Sequence, residues 1–216
     1  MKNNKTVTVI DYGVGNLLSV SRGFEAIGAN VVVTSSLSKI KKAERLVLPG
    51  VGAFGKGMQE LKNRDFDKAI IDVISEGVPI LGICLGMQFL METSNEFGFH
   101  QGLGLIPGNV ISIPKKSIGG DDLTVPHIGW NALEVSSFHS SWQGTILGST
   151  KAGSHVYFVH SYMSNPTDSE HLLAHCFYGG NIITAVVLKD NIMGCQFHPE
   201  KSGSIGLEIL KKFLTI

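Results

Sequence analysis

The sequence predicts an α/β protein. Its central sheet is mostly parallel and flanked by helices, with antiparallel strands added in the second half. Three observations carry this. Short apolar runs alternate with amphipathic stretches through the first half of the chain. Those runs are apolar at successive positions, as strands covered on both faces must be. The second half instead crowds strand-like runs together with only turn residues between them.

Taken in order, VTVI (7–10) reads as a strand. NLLSVSRGFEAIG follows as a helix with Leu17, Val20, Phe24 and Ile27 on one face, stopped by Gly28. ANVVVTS (29–35) is a second strand, too apolar for a wet face, and RLVLPG (45–50) a third. DFDKAIIDVISEG (65–77) places Phe66, Ala69, Ile70, Val73 and Ile74 at helical spacing before Gly77. VPILGIC (78–84) is the fourth strand, and LGMQFLMET begins another helix. NVISIP, WNALEV, HVYFVHSY, HLLAHCFYGG, IITAVVLKD and IMGCQFHPE read as antiparallel strands joining the sheet. GSIGLEILKKFLTI closes as a helix, with Ile205, Ile209 and Phe213 four apart. No linker, repeat or low-complexity tract divides residues 1–216, so one domain is expected.

Composition narrows the function. The 216 residues are 43% hydrophobic and 17% charged, which suits a globular protein with a full core. Zero formal net charge offers no phosphate-neutralising surface, so no nucleic-acid partner is expected. No run approaches the roughly 20 apolar residues that span a bilayer, and no polybasic anchor is present. The start, MKNNKTVTVIDYG, lacks the apolar core of a secretory leader. Three widely spaced cysteines, Cys84, Cys176 and Cys195, do not make a disulfide framework. A reducing cytoplasm is the expected location.

Two glycine loops imitate nucleotide sites. DYGVGNLL (11–18) has Leu18 where the dinucleotide fingerprint needs its third glycine, and the following strand ends in Thr34 and Ser35 rather than an acid. GVGAFGKG (50–57) matches a phosphate loop until Gly57 replaces the magnesium-binding hydroxyl. No nucleotide or other cofactor is expected.

The chemistry concentrates at Gly82-Ile83-Cys84-Leu85-Gly86, which has the spacing of a nucleophile elbow with cysteine as nucleophile. The flanking glycines suit a tight strand-to-helix turn. Amides at the helix start favour an anion on the sulfur, and the Leu85 N–H points where an oxyanion forms. A buried inert thiol is the commonest state of a free cysteine, but it leaves the two glycines unexplained. Cys176 and Cys195 are read as that ordinary kind.

A thiolate needs a base. In GCQFHPEKS, alternation puts Gln196 and His198 on one face and Cys195 and Phe197 on the other. Pro199 keeps His198 extended, and Glu200 projects to its side. Cysteine, histidine and glutamate thus supply nucleophile, base and orienting carboxylate. The same alternation separates Cys195 from His198, so no metal site is expected.

GICLGMQ, FHPE and LPGVGAFG together resemble the class I glutamine amidotransferases. DYGxGN, PHIGWN, FVHSY and FHPEKSG narrow the likeness to the glutaminase subunits of imidazole glycerol phosphate synthases, from about residue 7 to the C-terminus. The resemblance implies a flavodoxin-like core and a single amidotransferase domain. It assigns Cys84 as nucleophile, His198 as general base and acid, and Glu200 as its partner. It puts the oxyanion at the backbone of Val51, Gly52 and Leu85, and the L-glutamine against Gly52, Gln88, Glu96, Ser161 and Tyr162. Ser161 is a rival nucleophile by residue type but lacks flanking glycines. The family also implies a heterodimer with a separate (β/α)8 cyclase subunit that consumes the ammonia. His127, Trp130, Asn131, Lys201 and Ser202 are the expected interface residues. A paralogue feeding another acceptor, such as a sugar, shares these catalytic motifs. A stand-alone cysteine peptidase or γ-glutamyl hydrolase is the alternative outside that scheme. KKSIGGDDLTV (115–125) is a polar surface loop without an assigned role.

Overall fold

The structure, a computed structural model, describes residues 5–216. Strand β1 (Thr6–Ile10) leads into α1 (Leu17–Ala26), then β2 (Asn30–Thr34), α2 (Leu37–Ile40) and β3 (Leu46–Gly50). Two helices, α3 (Phe54–Asn63) and α4 (Phe66–Ser75), precede β4 (Ile80–Cys84) and the one-turn α5 (Leu85–Gln88). The strands β5 (Met91–Ser94), β6 (His100–Gln101), β7 (Ile106–Ser112), β8 (His127–Ala132), β9 (Glu134–Val135), β10 (His155–His160) and β11 (Tyr162–Pro166) follow. The chain finishes with β12 (Leu172–Tyr178), β13 (Asn181–Lys189), β14 (Ile192–Cys195) and α6 (Gly203–Phe213).

The main sheet has eight strands in the order β2-β1-β3-β4-β14-β13-β12-β9. From β2 to β14 every pairing is parallel; β13, β12 and β9 continue it antiparallel. Alternation along each inner strand feeds two cores. Val7, Val9, Val47, Leu81 and Ile83 face α1 and α6, while Ile10, Leu46, Leu48 and Ile80 face α3 and α4. Phe24 of α1 and Phe213 of α6, both fully buried, meet edge to face at 6.2 Å. Asn16 caps α1 by accepting from the Ser19 amide, and Gly28, at φ 83°, ends it in the left-handed region.

Several expectations need correction. The second-half strands do not all join the main sheet. NVISIP falls in a four-stranded sheet of order β11-β7-β5-β6, and WNALEV divides between β9 and a separate β8–β10 pair. IMGC, as β14, runs parallel to β4. LGMQFLMET is helical for one turn only and becomes extended at β5. Every residue from Leu85 to Met91 is buried, so its apolar spacing defined no single helical face. β2 is an edge strand on which Val33 is exposed.

Helix α3 had no sequence forecast, because its Gly55 and Gly57 weaken helix propensity. Both glycines are needed for packing: a Cβ would lie 2.5 Å from the His100 ring at Gly55 and 2.4 Å from Phe89 at Gly57. The 115–125 loop is closed by a Lys116–Asp122 bridge and anchored by the Ile118 amide on the Gly179 carbonyl. No helix among the described residues is long and apolar enough to cross a membrane.

Candidate active site

Three neighbouring parallel strands, β3, β4 and β14, end on one side of the sheet, where ligands bind in such folds. β4 ends in Cys84, at φ 56° and ψ −113°. This backbone is strained for any residue with a Cβ and costs on the order of 1–3 kcal/mol. The flanking glycines serve a different purpose, the close approach of neighbouring chain. A Cβ on Gly86 would sit 1.7 Å from the Leu48 carbonyl of β3, and one on Gly82 would sit 2.6 Å from the Gly86 carbonyl. Because α5 is a single turn, its macrodipole is small; the free first-turn amides, including that of Leu85, are what it offers an anion.

Beyond β14 the chain bends at Gln196 and Phe197 and reaches His198, itself extended, which precedes a 3-10 turn at Pro199–Lys201. His198 Nδ1 lies 2.8 Å from Glu200 Oε1, and the Glu200 side chain is wholly buried. Burial alone would depress the His198 pKa. Hydrogen bonding to Cys84 and to Glu200 outweighs it and raises the value to about 9. Ser202 ties this turn together: its hydroxyl donates to the His198 carbonyl (2.7 Å) and accepts from the Tyr157 amide (3.0 Å).

A cleft of about 340 Å³ opens over the sulfur. Its walls include Val51, Gly52, Leu85, Gln88, Glu96, Ser161, Tyr162 and His198, so the expected oxyanion and substrate residues meet around Cys84. Gly52, at φ 94°, gives the β3–α3 loop its turn, and Val51 is exposed at the mouth. Glu96 is buried and accepts from the Phe54 amide at the start of α3. Burial raises its pKa against that bond and the nearby His100. Gln88 is also buried; its Nε2 donates to the Tyr162 carbonyl (2.9 Å) and to Gln196 Oε1 (3.0 Å).

The five interface candidates do not share one exposed surface. Trp130 is 56% exposed and Lys201 is exposed. Asn131 is partly exposed and donates to the Phe177 carbonyl. His127 and Ser202 are buried, which corrects their reading as surface contacts. His127 stacks on Tyr178 and Phe158 and hydrogen-bonds His160, while Ser202 fastens the His198 turn. Both have polar side chains with internal partners, which residue type alone does not reveal.

Reading the sequence also missed His160, whose Nδ1 lies 2.8 Å from the Tyr162 carbonyl and whose ring lines the cleft. Burial pushes its pKa down to about 4, against that bond. Gln196 was placed on the face of His198 but given no role. It is fully buried, with Nε2 at 3.8 Å from Cys84 Sγ. The period-2 alternation was the available signal for it.

Residues 8–216 match the family described as "Glutamine amidotransferase class-I". The chain belongs to the class I glutamine amidotransferases. Within this family it is 49% identical over 211 residues to the imidazole glycerol phosphate synthase subunit HisH 1 of Legionella pneumophila (strain Lens), covering 98% of this chain and 99% of that one. It is 47% identical over 208 residues to the subunit HisH of Geobacter sulfurreducens, covering 96% and 97%. Among solved structures, a chain described as the structure of PurLQS from Thermotoga maritima superposes with a TM-score of 0.73 at 18% identity, covering 98% of each chain. Another, described as a glutamine amidotransferase, gives 0.71 at 15% identity, covering 97% of this chain and 99% of that one. These likenesses show a common amidotransferase fold.

Proposed function

We propose that this chain is the glutaminase subunit of an imidazole glycerol phosphate synthase, acting in histidine biosynthesis. The observation that carries the glutaminase reading is Cys84 on its strained elbow, lining one cleft with His198, whose Nδ1 is paired with the buried Glu200. Near-full-length relatives named as HisH subunits support the pathway.

L-glutamine enters the cleft with its side-chain amide above Cys84. Gln88, Ser161, Tyr162 and the Gly52 backbone hold it, and the Glu96 carboxylate meets the ammonium. The Cys84 thiolate attacks the amide carbon, and the C=O electron pair moves to oxygen. Backbone N–H groups of Leu85 and the Val51–Gly52 loop receive that oxyanion. Collapse breaks the C–N bond as the His198 imidazolium gives its proton to the leaving nitrogen, releasing ammonia. His198, now neutral, takes a proton from water, which attacks the thioester. A second oxyanion collapses, glutamate leaves, and the sulfur regains its starting state. Glu200 holds Nδ1–H throughout, so that Nε2 faces the sulfur.

Ammonia released into neutral water is protonated and ceases to be a nucleophile. A synthase therefore gains from taking it through a closed path into a partner. The partner proposed is a (β/α)8 cyclase subunit, docked in a heterodimer on the face carrying the exposed Trp130, with Asn131 and Lys201 as further candidate contacts. The cyclase consumes the ammonia to form imidazole glycerol phosphate and aminoimidazole carboxamide ribotide. Cytoplasmic residence belongs to the same proposal.

The test is glutamine hydrolysis measured with and without purified cyclase subunit. Activity that rises on adding the cyclase supports the reading. Full activity from the isolated chain, with no binding to the cyclase, favours a stand-alone hydrolase.

A further inference from the structure

Two buried carboxamides connect the cleft wall to the nucleophile, and a single backbone carbonyl sets their orientation. The Tyr162 carbonyl accepts from Gln88 Nε2 at 2.9 Å and lies 2.8 Å from His160 Nδ1. A carbonyl has no hydrogen to give, so both nitrogens facing it must be donors. This fixes the amide of Gln88, which could otherwise be turned end for end. The second N–H of Gln88 then points at Gln196, 3.0 Å away, and Gln196 must present its oxygen. The Gln196 NH2 group is thereby directed towards Cys84 Sγ, at 3.8 Å.

The position of Gln196 gives this arrangement weight. Its side chain is fully buried, and its main chain is pinned by its N–H donating a hydrogen bond to the Ala185 carbonyl at 2.8 Å. A carboxamide in a dry interior is costly unless its polar atoms are satisfied, and an apolar side chain would fill the space without that requirement. Both of its polar atoms are used, the oxygen by Gln88 and the nitrogen by the sulfur. Sulfur accepts N–H bonds far better as thiolate than as thiol. The contact is therefore worth most in the charge state that attacks.

We propose that Gln196 is a positioning residue for the nucleophile: its carboxamide, oriented through Gln88 by the Tyr162 carbonyl, donates an N–H to Cys84 Sγ and holds the thiolate for attack. The other hydrogen-bond contact of the sulfur is the Val159 carbonyl, 4.0 Å away, which accepts from the thiol; Gln196 is the donor on the other side, and His198 lines the same cleft. The same relay leaves Gln88 Oε1 as the only free polar atom of that amide, available to accept from a ligand. The catalytic meaning rests on the glutaminase reading above; the sulfur contact does not.

The experiment follows the pH dependence of Cys84 alkylation by iodoacetamide, with mass spectrometry reading the modified residue. Full-length wild type, Gln196→Met and Gln196→Leu are compared, with Cys84→Ala as blank. The Met variant keeps length and volume but removes the N–H. Its profile is expected to move to higher pH by about one unit, matching one lost hydrogen bond to a charged group. Glutamine turnover should fall about tenfold in kcat, with a smaller change in KM. The Leu variant gives the same alkylation readout if the Met variant does not fold. A profile superimposable on wild type in the folded variant overturns the proposal, even if stability or KM has changed. Wild type that alkylates at Cys84 but does not hydrolyse glutamine even with the cyclase subunit bound would instead overturn the glutaminase reading, and the alkylation comparison would still decide the role of Gln196.

Discussion

Gly86 and Leu48 are in backbone contact: any Cβ at position 86 would penetrate to 1.7 Å from the Leu48 carbonyl. The helix start that carries the Leu85 amide is thus pressed directly onto β3, whose end forms the Val51–Gly52 loop. Cleft geometry and strand packing are one feature here. Gly86→Ala must push β3 and α5 apart, and it is expected to destabilise the fold by about 3 kcal/mol or more. Thermal unfolding checks this; an unchanged melting temperature would show that the contact yields freely.

Cys84 holds a positive φ that suits glycine better than cysteine. Cys84→Gly should therefore abolish glutamine hydrolysis while stabilising the chain by about 1 kcal/mol through relief of strain. Cys84→Ala, which keeps the Cβ, should be inactive without that gain. The pair separates the reactive sulfur from the backbone that presents it. Equal melting temperatures for the two would remove strain from the account.

His198 and Glu200 make the pH behaviour specific. A pKa raised from 6.5 to about 9 means that the folded state binds the imidazole proton more tightly than the unfolded chain. That stabilisation is complete below pH 6.5 and disappears as pH rises through about 9. The attacking pair, thiolate beside imidazolium, is lost on the same alkaline limb. Glu200→Gln keeps an acceptor for Nδ1–H and removes the charge. Since Glu200 Oε2 has no partner in the structure, the change breaks no other bond. The alkaline limb should move to lower pH and kcat fall about a hundredfold. A limb that stays in place would show that Glu200 does not set the proton affinity of His198.

Trp130 lies 56% exposed on β8, beside Asn131. An exposed tryptophan is a common anchor in a protein interface. Trp130→Ala should weaken cyclase binding by about 2 kcal/mol, roughly thirtyfold in Kd, and leave folding intact. Calorimetric titration against the cyclase measures it. Unchanged affinity would move the interface elsewhere.

Much of this was legible in the chain because the deciding signals are local. β1, β3, β4 and α4 carry their periodicity and their stops within a dozen residues. The elbow and the His198-Pro199-Glu200 tripeptide each fit in one turn of backbone. What was hidden depends on contacts between distant segments. Helix α3 contains two glycines that only His100 and Phe89 explain. The separation of β7 and β8 from the main sheet leaves no trace in their own composition. His127 and Ser202 are polar residues with internal partners, so their burial is invisible to pattern. The Tyr162 carbonyl is a main-chain atom, which residue identity cannot flag at all, and Gln196 draws its role from that atom through Gln88.

The central claim is that ammonia released at Cys84 becomes part of the cyclase product without entering solvent. The most direct measurement is turnover of the complex with glutamine labelled in its amide nitrogen, in excess unlabelled ammonium, followed by mass spectrometry of the imidazole product. The account predicts label retained in the ring at near-full enrichment, and none with Cys84→Ala. Product carrying mainly unlabelled nitrogen from the wild-type complex would contradict it.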